Sequence, residues 1–134
     1  MSNAVDLDNV RALRRLRVLV VTPDRRYLRA AGFLLTRAGF LVDGAKRVSE
    51  ALDLVERHQP DVVVVDAAGS LPAAARLAAA VEGLRPGVRV LVVSENGERS
   101  GAVNLRVLSK WSVEALVRRI ALSQPMNGQR RAQA

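Results

Sequence analysis

Asp61-Val62-Val63-Val64-Val65-Asp66 is the stretch on which the fold turns. Four consecutive β-branched residues, with Pro60 in front and Ala67-Ala68-Gly69-Ser70 behind, read as a strand buried on both faces, as at the centre of a parallel sheet. Asp66 then stands at the carboxyl edge of a central strand, where open α/β sheets hold their ligand and reaction sites. An aspartate there can equally serve to start the turn into the next helix. Position alone leaves both roles open.

Outward from this strand the chain alternates. Val18 to Val21 and Val88 to Val93 are two further buried strands, and Phe40 to Val42 and Leu105 to Leu108 are shorter ones. Between them lie helix patterns. Thr22 is a candidate cap with Pro23 at the first helical position. Tyr27/Leu28, Ala31, Leu34/Leu35 and Ala38 then form one apolar stripe before Gly39 stops the helix. Ser49 is the candidate cap of a second helix, in which Ala51, Leu52, Val55 and His58 share a side before Gln59-Pro60. His58, the only histidine, ends that helix, where it favours the dipole and a surface carbonyl. Ser70 caps a third, alanine-rich helix that Pro86-Gly87 ends. Ser112 caps a last one, with Val113, Leu116, Val117 and Ile120 at helical spacing. Five strands alternating with helices specify an α/β domain with parallel strands and right-handed crossovers. The carboxyl ends of strands one, three, four and five carry Thr22, Asp66, Ser94 and Lys110, which a doubly wound sheet brings to one edge.

The segment from Glu95 to Asn104 breaks the alternation. Asn96, Gly97, Ser100 and Gly101 are loop formers, and ten residues are too few for two connections and a helix that averages about 11. The fourth helix is expected to be short or missing. Apolar residues of strands four and five, Val90 to Val93 and Leu105 to Leu108, would lose cover, and such a patch marks an interface. A homodimer or a partner site is expected there. Residues 1–16 form an expected N-terminal arm, 17–123 the domain, and 124–134 a polar tail expected to be disordered.

At 134 residues the chain has the length of one domain and can bury a core without staples. It has no cysteine, which excludes disulfides and thiolate metal sites and fits a cytoplasmic setting. No apolar run approaches the roughly 20 residues of a membrane span. Net charge is +8, but all lysine is at Lys46 and Lys110, and the arginine-rich remainder accompanies no helix-turn-helix, aromatic-studded strand or zinc-ligand spacing. Specific nucleic-acid binding is not expected. No nucleophile with a base, metal-ligand cluster or Gly-rich phosphate loop points to an independent enzyme.

The four edge residues are where the sequence resembles receiver domains of two-component response regulators. The resemblance spans about residues 17 to 123. It rests on Arg17-Val18-Leu19-Val20-Val21, on Pro60-Asp61-Val62-Val63-Val64-Val65-Asp66, on Ser94, and on Lys110 followed by Ser112-Val113-Glu114-Ala115-Leu116. It implies a flavodoxin-like fold with a five-stranded parallel sheet in the order 2-1-3-4-5. It also implies that Asp66 is the phosphoacceptor for a histidine kinase, that the Ser94 hydroxyl moves to bond the phosphoryl group, that Lys110 neutralises it, and that Mg²⁺ sits beside Asp66.

The sequence departs from that pattern in its chemistry. The family's adjacent acidic pair after strand one, which holds Mg²⁺, is here Thr22-Pro23. Asp66, with Asp24 one position late, makes a thin site for an ion that demands near-ideal octahedral oxygen ligation. The proline after the lysine is missing, Trp111 takes the aromatic position, and Val107 stands where a switching aromatic is common. These departures favour an atypical, pseudo-receiver-like domain that signals through contacts with a kinase or effector protein, with little or no metal-assisted phosphorylation. With no effector domain after the last helix, output is expected through protein contacts or from a longer parent chain. In the absence of an acidic pair, direct pairing of Asp66 with Lys110 is expected. The alternatives are a functional receiver phosphorylated at Asp66 and, third, a basic nucleic-acid-binding module.

Overall fold

A computed structural model of the chain describes residues 15–95 and 107–123. Its elements are β1 (Arg17–Val21), α1 (Arg25–Arg37), β2 (Leu41–Ala45), α2 (Val48–His58), β3 (Val62–Asp66), α3 (Leu71–Leu84), β4 (Arg89–Ser94), β5 (Val107–Ser109) and α4 (Val113–Ser123). The expected arm up to residue 14, the short or missing helix within 96–106 and the tail from 124 lie outside the described residues.

All five strands are parallel, in the order β2-β1-β3-β4-β5. This is the doubly wound, flavodoxin-like arrangement. The chain reverses its direction of winding between β1 and β3, so the carboxyl ends of those two strands open a crevice.

The continuous apolar runs are explained by two separate cores. Successive strand residues point to opposite faces. Val18, Val20, Val62, Val64, Leu91 and Val93 pack against Tyr27, Ala31 and Leu35 of α1 and Val113, Leu116 and Ile120 of α4. Leu19, Val21, Val63, Val65 and Val92 pack on the other face against Ala51 and Val55 of α2 and Ala74, Leu77 and Val81 of α3. Every residue of β3 is buried, as the valine run requires of a central strand. Leu91, Val92 and Val93 are buried and Val90, Val107 and Leu108 half-buried, so strands β4 and β5 keep most of their cover among the described residues.

Local chemistry differs from expectation at several ends. Thr22 and Pro23 do not start α1. The N-cap is Asp24, whose Oδ1 accepts from the N–H groups of Arg26 at 2.9 Å and Tyr27 at 3.2 Å. A carboxylate is the stronger partner for the positive helix end, and the Thr22 hydroxyl is committed elsewhere. Helix α2 begins one residue before Ser49, with Arg47 at the N-cap position and no side-chain cap. Glu50 instead reaches back to the Lys46 N–H at 2.8 Å. His58 pairs through Nδ1 with Asp43 at 3.0 Å rather than with a carbonyl. β2 runs on to Ala45, beyond the expected end at Val42, because a parallel ladder with β1 uses backbone groups whatever the side chains. Ser70 does cap α3, its Oγ accepting from Ala73 N–H at 3.2 Å, and Gly39, at φ +103°, ends α1 in the left-handed region.

Leu35 is fully buried between α1 and the sheet. Leu35→Ala is expected to lower unfolding stability by about 2–5 kcal/mol, the range for a cavity in a close-packed core, read as a fall in denaturation midpoint at unchanged m-value.

Candidate functional site

Residues from four loops meet in the crevice. Backbone bonds hold each: Thr22 N–H donates to Ala45 O at 2.9 Å, Ala67 N–H to Val93 O at 2.8 Å, and Lys110 N–H to Ser94 O at 2.8 Å. The sheet ladder thus continues one residue past the strands and sets the distance between side chains. Thr22, Asp66, Ser94 and Lys110 are the buried polar residues of the described chain.

Lys110 is at the centre. Its Nζ lies 2.9 Å from Asp66 Oδ2 and 2.9 Å from Asp24 Oδ2, with the lysine side chain 7% exposed and that of Asp66 2%. Asp66 Oδ2 also accepts from the Thr22 hydroxyl at 2.7 Å, and its Oδ1 accepts from Ala68 N–H at 2.9 Å. Ala68 takes φ +49°, an uncommon value for alanine, and this turn aims its N–H at the carboxylate. The Thr22 oxygen in turn accepts from Asp24 N–H at 3.0 Å. One threonine thereby ties the start of α1 to the end of β3.

Two rings enclose the ammonium. Its Nζ is 5.2 Å from the Tyr27 ring centroid and 5.4 Å from that of Trp111, and the rings meet edge to face at 5.5 Å and 90°. Such contacts add cation–π attraction to the ion pairs. The Tyr27 hydroxyl is buried with no hydrogen-bond partner among the described residues, and burial, with the Asp66 charge adding to it, pushes its pKa far upward, so it stays protonated.

The electrostatics favour the charged forms. Burial opposes the Lys110 charge, but hydrogen bonds to Asp24 and Asp66 and the charges of both outweigh it, and its pKa is raised. The hydrogen bond from Lys110, then that from Tyr27 N–H, lowers the pKa of Asp24 against a smaller opposing effect of burial.

These contacts bear on the metal. Both oxygens of Asp66 and both of Asp24 already accept hydrogen bonds, and an ammonium stands between the two carboxylates. At the position after β1, threonine donates a proton where a ligand would offer a lone pair. Among the described residues no group of three or more acidic or histidine side chains gathers to hold an ion. The donor set does not fit Mg²⁺, which needs oxygens at about 2.0–2.1 Å in octahedral array. Asp24, expected as a second ligand, is the helix cap and the second partner of Lys110. Pro23 is exposed and brings no donor or acceptor side chain. Ser94 is buried at the same edge, but its hydroxyl bonds neither Asp66 nor Lys110. Direct pairing of Asp66 with Lys110 is present as expected. Tyr27 was legible only as a core residue of the α1 stripe. Its place beneath Lys110 depends on the crossing of α1 and the β5–α4 turn, for which no sequence spacing stands.

No protein-family model matches the chain, and no curated protein sequence does. Solved structures do. A response regulator receiver domain protein (CheY-like) from Methanospirillum hungatei JF-1 is 21% identical over 82% of this chain and 94% of its own, with a TM-score of 0.69. The signal receiver domain of the putative response regulator NarL from Mycobacterium tuberculosis is 24% identical over 82% and 96%, with a TM-score of 0.67. A response regulator protein from Burkholderia pseudomallei, solved with a phosphorylated aspartic acid, a calcium ion and citrate, is 19% identical over 84% and 74%, with a TM-score of 0.64. The fold of this chain is therefore that of response regulator receiver domains.

Two outcomes test the site. Lys110→Met leaves the Asp66 charge buried and unpaired and is expected to cost about 3–5 kcal/mol, as for one partner removed from a buried pair, with part regained on adding Asp66→Asn. The second concerns pH. The lowered pKa of Asp24 gives stability that is present above the ordinary carboxylate value of 3.8 and lost as pH falls through the lower folded value. The raised pKa of Lys110 gives stability that is full below the ordinary 10.5 and lost as pH rises through the higher folded value. Fluorescence of Trp111, the single tryptophan, should stay level between 3.8 and 10.5 and change only outside them.

Proposed function

We propose that this chain is an atypical receiver domain in signal transduction, which acts through protein contacts and whose acceptor-position aspartate is neutralised by an internal ammonium in place of a metal. The observation that carries this reading is the single Lys110 Nζ at 2.9 Å from both Asp24 and Asp66.

Phosphoryl transfer to a carboxylate brings a dianion against an anion, and a metal ordinarily screens that approach. Here the one nearby cation among the described residues is already shared by two carboxylates. Asp66 Oδ2 holds two donors, and the side chain is almost wholly enclosed. Attack through Oδ2 would require Lys110 and Thr22 to let go of it first. The ion-paired resting state is correspondingly an end state, and the chain's output is a surface for a kinase or effector protein. Association of two copies through β4 and β5 belongs to the same reading, with Val90 and Val107, half-buried on the same face of the sheet, as its contact residues. The domain needs no catalytic activity of its own for this role, and its cytoplasmic placement follows from the class of partner.

The second reading is a working receiver, phosphorylated at Asp66. It is favoured by the placement of Asp66 and Lys110 side by side at the carboxyl edge. In that case Ser94 and Lys110 would bind the phosphoryl oxygens. A nucleic-acid role has only the net charge behind it, and attraction to phosphates alone carries no sequence preference.

Incubation with acetyl phosphate and Mg²⁺, followed by intact-mass measurement, separates the two readings. The unmodified chain is expected to gain no phosphoryl group. Stoichiometric, Mg²⁺-dependent modification that Asp66→Asn abolishes would establish the second.

A further inference from the structure

Helices α1 and α4 leave a groove between them on the outside of the domain, of about 400 Å³, lined by Leu34, Arg37, Ala38, Glu114, Val117 and Arg118. Two exposed stripes frame it. Arg29, Phe33 and Arg37 follow one another at four-residue spacing along α1, and Glu114, Arg118 and Leu122 do the same along α4. Phe33 is 63% exposed and Leu122 83%. Single apolar residues at a surface are ordinary. An apolar floor with an exposed apolar side chain and an arginine on each bank is a less common combination, and it resembles the make-up of interfaces.

The charges say what kind of molecule fits. Helix α1 carries arginines at 25, 26, 29 and 37 and no acidic residue. Among the described residues Arg29, Arg37 and Arg118 enter no ion pair, and Glu114 is the one acid lining the groove. We infer that this groove docks an acidic amphipathic helix of a partner protein, its apolar face on Leu34, Val117 and Phe33 and its carboxylates on Arg37 and Arg118. This is helix-in-groove recognition, with apolar anchors for affinity and charge for orientation. A nucleic acid would gain little from the apolar floor and would meet Glu114. A lipid surface would not fill a concave channel. The groove also lies at the far end of α1, about 15 Å along the helix from Asp24 at 1.5 Å per residue. A partner there need not touch Lys110 or Asp66. The inference rests on the reading that output is by protein contact and supplies the chemistry of that partner.

The probe is a synthetic amphipathic helical peptide of leucine and glutamate, with a leucine–lysine counterpart of the same pattern. The acidic peptide is expected to bind, more weakly as salt rises. It should also shift the backbone amide resonances of Leu34, Ala38 and Val117 in the unaltered chain. Arg37→Glu with Arg118→Glu should weaken binding about tenfold or more, equal to at least about 1.4 kcal/mol. Arg76→Glu with Arg89→Glu, the same charge change at exposed sites elsewhere, should leave it nearly unchanged. Equal weakening by both pairs, resonance shifts outside the groove, no preference for the acidic peptide, or tighter binding to duplex DNA or phosphatidylserine vesicles than to the peptide would each overturn the inference. The intact-mass result on Asp66 is independent of all of these, so the docking surface and the signalling reading can fail separately.

Discussion

A lysine ammonium cannot be enclosed without partners, and the carboxyl edge of this sheet is arranged around satisfying one. Removing such a charge from water costs several kcal/mol unless opposite charge and hydrogen bonds replace its hydration. Lys110 finds two carboxylates at 2.9 Å and two aromatic faces. Each partner is tied down by something else. Asp24 is held by two backbone N–H groups at the start of α1, and Asp66 by Thr22 and the Ala68 turn. The lysine therefore joins three connections of the fold, those after β1, β3 and β5. Its removal would loosen all three.

The same network accounts for the chemistry that the site favours. A carboxylate cluster open to solvent attracts a divalent ion, whereas a cluster already closed by an ammonium offers that ion neither charge nor free oxygens. Thr22 is pivotal to this arrangement. A carboxylate at that position would add a third negative charge beside Asp66. Threonine adds a donor, and its hydroxyl shortens the path between Asp24 and Asp66 by bonding both residues. Tyr27 and Trp111 then cover the ammonium with their rings.

Some of this is legible in local pattern and some is not, for identifiable reasons. The valine runs marked β1, β3 and β4, and the serine and glycine signals at Ser70 and Gly39 were correct because caps and stops act within a few residues. Thr-Pro is a common helix opening, which makes Thr22 look like a cap. The helix starts two residues later, where the Asp24 carboxylate accepts from Arg26 and Tyr27 N–H, and the Thr22 hydroxyl donates to an aspartate 44 residues away. His58 found Asp43 on the neighbouring strand, 15 residues back, rather than the end of its own helix. Both Thr22 and His58 have a side-chain partner distant in sequence.

By itself the sequence determined the alternation of strands and helices, the central place of β3, and the arrival of Thr22, Asp66, Ser94 and Lys110 at one edge. Periodicity and burial are local properties, and a run of valines between turn formers has few ways to fold. Only the tertiary structure decided how those residues bond. Lys110 joined to Asp24, 86 residues away, as well as to Asp66. Ser94 stayed out of the network, and Tyr27 came beneath the ammonium. Hydrogen bonds are made or lost over a few tenths of an ångström. At that scale the outcome depends on strand register and helix placement, which the spacing of residues along a chain does not contain.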